Sequence, residues 1–534
     1  MVSDGLGTPR PRATSNRVVR LFADDQMITQ ADGRPARSAP VMTAIPPNRI
    51  RTANERPAGG GRYVLYWMIG ARRARWNFAL EHAAAQARAR HLGLVVFEPL
   101  RADYPWASAR FHRFVIDGMT DNARALAVPG VTYFPHVESR PGEARGLLAA
   151  LAAEAALVVT DDVPGFFLPR MIARAATELP VRLDAVDGNG LLPLGSTDRA
   201  YPTAYAFRRL VQNSLASHLA ERPAAQPLPA GGLPVAAPAL PGAVTRRWRA
   251  WPLAASTHAE FAALPIDHGV TPSDVLVGGA TAGRARLTQF VAHGLARYVG
   301  ERTDADDDVT SGLSPYLHFG HLSSHEIFAA VMTREGWLGD IPRVGRGTRT
   351  GWWGVSAPAE AFLDQLVTWR ELGFNMCAHR PDFDDYASLP SWAQATLARH
   401  ASDPREPVYS HDALDAADTH DPIWNAAQRQ LRREGRLHNY LRMLWGKKIL
   451  QWSATPEQAL ATMIDLNNRY ALDGRDPNSY SGIFWTLGRY DRPWGPERPV
   501  FGTIRYMSSE NTARKIRLKG YLARHAAQPG LVGT

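Results

Sequence analysis

The chain has 534 residues, 45% of them hydrophobic and 9% aromatic, which predicts at least two packed domains and excludes a small disulfide-stapled module. Lys and Arg number 61 against 51 acidic residues, a net charge of +10 that suits a polyanionic partner. The single cysteine, Cys377, excludes an intramolecular disulfide and a cysteine-rich metal centre, and fits a reducing, cytoplasmic setting.

Residues 1–46 mix Pro, Arg, Ser and Asp without periodicity or the apolar core of a signal peptide, and read as a flexible basic leader. Apolar runs such as 147–159 stop short of the roughly 18 residues that span a bilayer, so a soluble chain is expected. From residue 63 the texture changes. Buried-type strands are predicted at 63–68, 92–100, 131–134, 156–161 and 181–186, separated by helical stretches such as 76–91. That alternation predicts a Rossmann-like parallel sheet covered by helices over 47–215. No G-x-G-x-x-G follows the first strand, so nothing supports a dinucleotide there.

Residues 222–243 are rich in Pro, Ala and Gly and cannot be helix interior, so 216–263 reads as an interdomain connection. Beyond it, helical periods cover 282–300, 323–334, 358–374, 421–433, 436–452 and 456–470, with Pro358 and Pro456 suited to first turns. An all-helical domain over 264–525 and a short tail over 526–534 follow.

Ten of the fifteen tryptophans lie after residue 330, and Trp445 and Trp452, seven apart, share a helix face. Large aromatics at this spacing also simply fill a helical core. Thr310-Ser311-Gly312-Leu313-Ser314-Pro315 can cradle a phosphate or cap a helix. Two basic clusters stand out. Arg429, Arg432, Arg433, Arg436, Arg442, Lys447 and Lys448 form one, which a solvated helix face would also explain. Arg489, Arg492, Arg498, Arg505, Arg514, Lys515, Arg517 and Lys519 form the other, interleaved with Tyr490, Trp494 and Tyr506 in a pattern that favours nucleic acid.

Trp369-Arg370-Glu371-Leu372, Thr419-His420-Asp421-Pro422-Ile423-Trp424-Asn425, Leu441-Arg442-Met443-Leu444-Trp445-Gly446-Lys447-Lys448 and Leu472-Asp473-Gly474-Arg475-Asp476-Pro477-Asn478 resemble the class II cyclobutane pyrimidine dimer photolyases. The resemblance runs from about residue 264 to 521 and is looser over about 49–215. It implies an N-terminal α/β domain, often an antenna-chromophore site, followed by a helical domain that binds FAD, active as FADH⁻. By motif, Tyr298, Thr310, Ser311, Leu313, Ser314 and Arg370 would hold the flavin, Arg442 and Asp473 would be the charged pair beside its ring, and Asn467 would face N5. Trp424, Trp445 and Trp452 would relay electrons. Trp369 and Trp485 would clasp a flipped-out dimer, with Met443 under it and Gln365 alongside. Arg302, Arg492, Trp494 and Arg505 would contact DNA.

The implied function is light-driven repair of dimers in ultraviolet-damaged DNA by a monomer without metal or obligate protein partner. The identity of any antenna chromophore stays open. Some positions depart from the family's pattern. Gln365 stands where a Glu is usual and Thr303 where an Asn is expected, Tyr490 replaces a common His, and 70–77 keeps only part of the usual Arg-Asp-Gln-Arg stretch. The departures leave room for a non-repairing photoreceptor or for action on another photoproduct.

Overall fold

The computed structural model describes residues 45–253, 257–342 and 344–527. Nearly all of the expected leader and most of the expected tail lie outside the described residues.

Six strands form one sheet in the order β1-β6-β5-β2-β3-β4: β1 Ile50–Thr52, β2 Tyr63–Trp67, β3 Gly93–Leu100, β4 Val131–Val137, β5 Ala155–Asp161 and β6 Leu183–Val186. All neighbouring pairs are parallel except β1–β6, where Ile50 pairs with Val186. Every residue of β2 and β5 is buried, as expected of strands covered on both faces, and this is why they read as unbroken apolar runs. The sequence reading missed β1 because its three residues carry no alternation, and Arg51 and Thr52 are exposed. It also stopped β4 short at Pro135, which an edge strand accommodates.

Helices α1 Phe78–Ala89, α2 Ala109–Ala125, α3 Leu147–Ala152 and α4 Leu168–Glu178 connect the strands. Asn77 starts α1, its side chain accepting from the Leu80 N–H at 3.0 Å. The Pro-rich connection runs along the sheet instead of standing free. The Thr132 hydroxyl donates to Pro238 O (2.6 Å) and the Trp251 N–H to Pro135 O (2.8 Å), so the β4 edge is covered. Leu233 packs under one face of the sheet, Val244 and Trp248 under the other.

Helix α5, Ala204–Ser214, was expected in the α/β half, but its Phe207, Val211 and neighbouring Leu215 lie in the helical core with Phe362 and Leu366. In that half two predicted helices are interrupted. Ala280–Gln289 passes through a π turn at Phe290–Gly294, and the 358–374 helix divides into Ala357–Leu363, a π turn at Asp364–Trp369, and Arg370–His379. A π turn is a single-turn interruption inside a helix, too short for a helical period read over roughly 15 residues to resolve. The 436–452 helix begins later, at Asn439. Asp421 accepts from the Ile423 and Trp424 N–H groups to start the helix Pro422–Glu434, with proline in its first turn.

Candidate active site

Three tryptophans expected to act together do meet. Trp424 and Trp452 pack edge to face with ring centres 5.7 Å apart, and the Trp424 indole N–H donates to Trp445 O at 3.0 Å. The Trp445 indole donates in turn to Gln428 Oε1 at 2.9 Å. All three are buried, Trp424 with 0% exposure. The aromatic run continues through residues the sequence reading did not single out. Tyr409 lies 5.4 Å from Trp452, and its hydroxyl is 2.7 Å from Nδ1 of the exposed His420.

On the helix Asn439–Trp452, Arg442 reaches Asp473 with Nη2 at 2.9 and 3.1 Å from the two carboxylate oxygens. Burial pushes the Asp473 carboxyl up, but Arg442 and the Ser314 hydroxyl outweigh it and hold the group below the usual carboxylate range. Asn467 is fixed by its amide N–H, which donates to Ser479 Oγ at 2.9 Å. The Thr310–Ser314 turn is preformed. Arg286 donates to Ser311 O (2.7 Å) and Thr310 O (2.6 Å), and Asp308 receives the Thr310 N–H (3.0 Å). Gly312 takes a φ of +64° there, and a Cβ would fall 2.9 Å from the Arg286 Nε. Leu313 is buried, whereas Ser314, beside Asp473, is exposed. Tyr298 packs on Phe362 at 5.6 Å with the Arg302 guanidinium 5.5 Å from its ring.

Gln365, Trp369, Met443 and Trp485 are each half-buried, while most of their neighbours along the same helices are buried. Gln365 and Trp369 both sit in the π turn. The Met443 methyl lies 3.8 Å from the ideal Cβ position of Gly482, one turn before Trp485 on the helix Pro477–Thr486. Trp485 adjoins a charged group of residues. Arg505 lies 5.5 Å from its ring and pairs with Asp491 at 2.8 and 3.1 Å. Asp491 also accepts from the Trp494 indole at 3.1 Å, and Arg492 and Arg505 stand 4.5 and 3.9 Å from the Trp494 ring.

Part of the first basic cluster turns inward: Arg436 pairs with Asp308 (2.7 Å), Arg429 donates to His525 O (2.8 Å) and Lys447 is wholly buried, while Arg432 and Arg433 stay exposed. In the second, Arg489 is buried against Phe383 O and Arg517 pairs with Asp304, while Arg492 stays exposed. Alternating basic residues do not show in sequence which of them find an internal acid.

Arg370, expected among the flavin contacts, donates to Asn189 O at 2.6 Å and lines a cavity of about 740 Å³ between sheet and helical half. Gly70, Arg72 and Phe166, from the loops after β2 and β5, form its other wall, at the carboxyl ends of the strands. Asp161 holds the first of these loops, accepting the Ile69, Gly70 and Ala71 N–H groups at 2.9, 2.7 and 3.0 Å. No motif announces this cavity, since its lining comes from many separate stretches. Among the described residues, no side-chain cluster suits a metal ion and no helix is long and apolar enough to cross a membrane.

No family model matches the chain. The chain is 34% identical to the deoxyribodipyrimidine photo-lyase of Methanothermobacter thermautotrophicus over 479 residues, 89% of this chain and 97% of that one. The enzyme of the same name from Oryza sativa is 32% identical over 89% of this chain and 90% of its own, and that from Potorous tridactylus 30% over 84% and 79%. A bacterial class III photolyase from Agrobacterium tumefaciens superposes with a TM-score of 0.61 at 17% identity, over 87% of this chain and 86% of the other, a likeness of fold alone. A parallel-sheet half joined to a helical half that buries Trp424, Trp445 and Trp452 and carries the Arg442–Asp473 pair, together with identity at this level over nearly the whole of a relative, makes this chain an enzyme of the deoxyribodipyrimidine photo-lyase family.

Proposed function

We propose that the chain repairs cyclobutane pyrimidine dimers in ultraviolet-damaged DNA under light, as a class II photolyase with FAD as its cofactor. The carrying observation is one helix, Asn439–Trp452, that bears Trp445 and Trp452 at its core, Arg442 paired to Asp473, and Met443 half-buried between them. The donor set fits a flavin. Arg442 offers a cation fixed by a carboxylate, the exposed Ser314 hydroxyl lies beside that carboxylate, and the 310–314 turn is held open by Arg286. FAD, when bound in its reduced form, would supply the light-driven electron.

The rest falls to the chain's own side chains. Arg442 would favour negative charge at the ring beside it, and Asn467, with its N–H engaged by Ser479, would be left with its carbonyl oxygen to face the ring. Trp369 and Trp485 would wall a flipped-out dimer and exclude water from it. The Gln365 amide would donate to a dimer carbonyl. Arg492 and Trp494, fixed through Asp491 and Arg505, would stand in the gap left in the duplex. The 740 Å³ cavity is of a size for a second, light-gathering chromophore.

The test is repair itself. Reduced protein under blue light, without oxygen, should restore the ultraviolet base absorbance of a dimer-bearing oligonucleotide, and no recovery sinks the reading. Gln365, in place of the usual Glu, favours a second reading: a flavoprotein photoreceptor, or action on a different photoproduct. Binding in the dark separates the two, because a receptor need not prefer damaged over intact duplex.

A further inference from the structure

Lys447 is a wholly buried amine on the Asn439–Trp452 helix that the proposed chemistry leaves unused. Its side chain has 0% exposure. Its ammonium donates to Thr486 O at 2.6 Å and stands 5.0 Å from the centre of the Trp485 ring. Thr486 is the last residue of the helix Pro477–Thr486, so this carbonyl is one of those left without a partner within the helix, at the negative end of its dipole. The two helices meet closely because residue 446 is glycine. A Cβ there would fall 2.6 Å from the Thr486 methyl.

We infer that Lys447 is a positioning residue for DNA recognition, fixing the end of the helix that carries Trp485 and, with Arg505, setting the indole that faces the lesion. The inference rests on the reading of Trp485 as a wall of the lesion pocket. A buried amine is costly to charge. Burial, with Arg505 adding to it, brings the Lys447 ammonium down to about 7 against the upward pull of Asp491. Among the described residues, Asp491 and Arg505 are the charged groups that act on it. Arg442 and Lys448 on its own helix turn to Asp473 and Asp421, and the packed helix Pro456–Tyr470 offers Met463 beside Gly446. A DNA polyanion laid over this face stabilises the charged amine, so association takes up a proton wherever free Lys447 is neutral.

The experiment measures dark binding of the flavin-loaded protein to dimer-bearing and intact duplexes from pH 6 to 9, with Lys447→Met and Lys447→Arg beside the wild type. Wild-type affinity should be flat below pH 7 and weaken above it by up to about tenfold per pH unit, the limit for one proton. Lys447→Met should lose that dependence and most of the preference for damaged DNA. Lys447→Arg, charged throughout, should recover the preference while staying flat in pH, which a merely structural role would not produce. Flavin content and melting temperature report folding of each variant. A Lys447→Met protein with the wild-type pH dependence, or wild-type binding indifferent to pH, overturns the inference. Wild-type binding that never prefers damaged DNA overturns the lesion reading instead, and the pH dependence on intact duplex then decides the role of Lys447.

Discussion

Arg208 and Asp364 join helix α5 to the π turn by two parallel hydrogen bonds, Nε to Oδ1 at 2.7 Å and Nη2 to Oδ2 at 3.0 Å. Both side chains are largely buried, and Gln365 follows Asp364 directly. Arg208→Gln would leave a carboxylate unpaired inside the protein, at a cost of about 3 kcal/mol. Urea unfolding should show that loss. Arg208→Lys restores the charge but not the fork, so it should recover only part of it. A wild-type midpoint in both variants would mean that the pair does not hold the turn.

Glu371 gives a pH dependence of definite sign. Its carboxylate accepts the Leu191 and Leu192 N–H groups at 2.7 and 3.1 Å, and the Gly190 backbone fits against it with no room for a Cβ. Burial nevertheless dominates and pushes the group from 4.5 up to about 7. Between those values the folded chain holds a proton that the unfolded chain has lost. The stabilisation is therefore complete below about pH 4.5 and is lost as pH rises through 7, by about 3 kcal/mol. Subtracting the stability profile of Glu371→Gln from that of the wild type should yield this slope alone. A flat difference contradicts it.

The tryptophans make a kinetic prediction. If they relay electrons, replacing Trp424 or Trp445 with Phe should slow blue-light photoreduction of the flavoprotein by a thiol by about tenfold, an added barrier of about 1.4 kcal/mol. Repair by protein already reduced chemically should change far less, because the relay serves activation. Transient absorption reads the first quantity and oligonucleotide repair the second. Equal losses in both would make these rings core packing and no more.

The parts of this molecule legible in its sequence are those in which one residue type does one job. Strands β2 and β5 are buried on both faces and read as such, and Asp421-Pro422 announces its helix by cap and proline together. Trp424, Trp445 and Trp452 stood out because bulky aromatics recur in a recognisable segment. What stayed hidden depends on distant partners. The Asp364–Trp369 π turn leaves no trace in periodicity, and its mainstay, Arg208, lies 156 residues earlier. The proline-rich connection has the composition of a tether, yet Leu233 and Trp248 find apolar ground against the sheet. Lys447 reads as part of a basic surface, and only the close approach that Gly446 permits buries it.

Gln365 carries the prediction that bears most directly on repair. An amide donates a hydrogen bond but holds no proton it can readily give up, whereas a carboxylic acid offers a stronger donor to an oxygen gaining negative charge. Donors aimed at developing charge are commonly worth about 100-fold in rate, most of which the amide already supplies, so Gln365→Glu should raise the yield per bound dimer by about tenfold at most. The gain should be largest at low pH and fade as the new carboxyl ionises. If the yield instead stays level or drops at every pH while dimer binding holds, the pocket is built around the amide, and the preferred lesion is one whose carbonyls an unchanging donor serves as well.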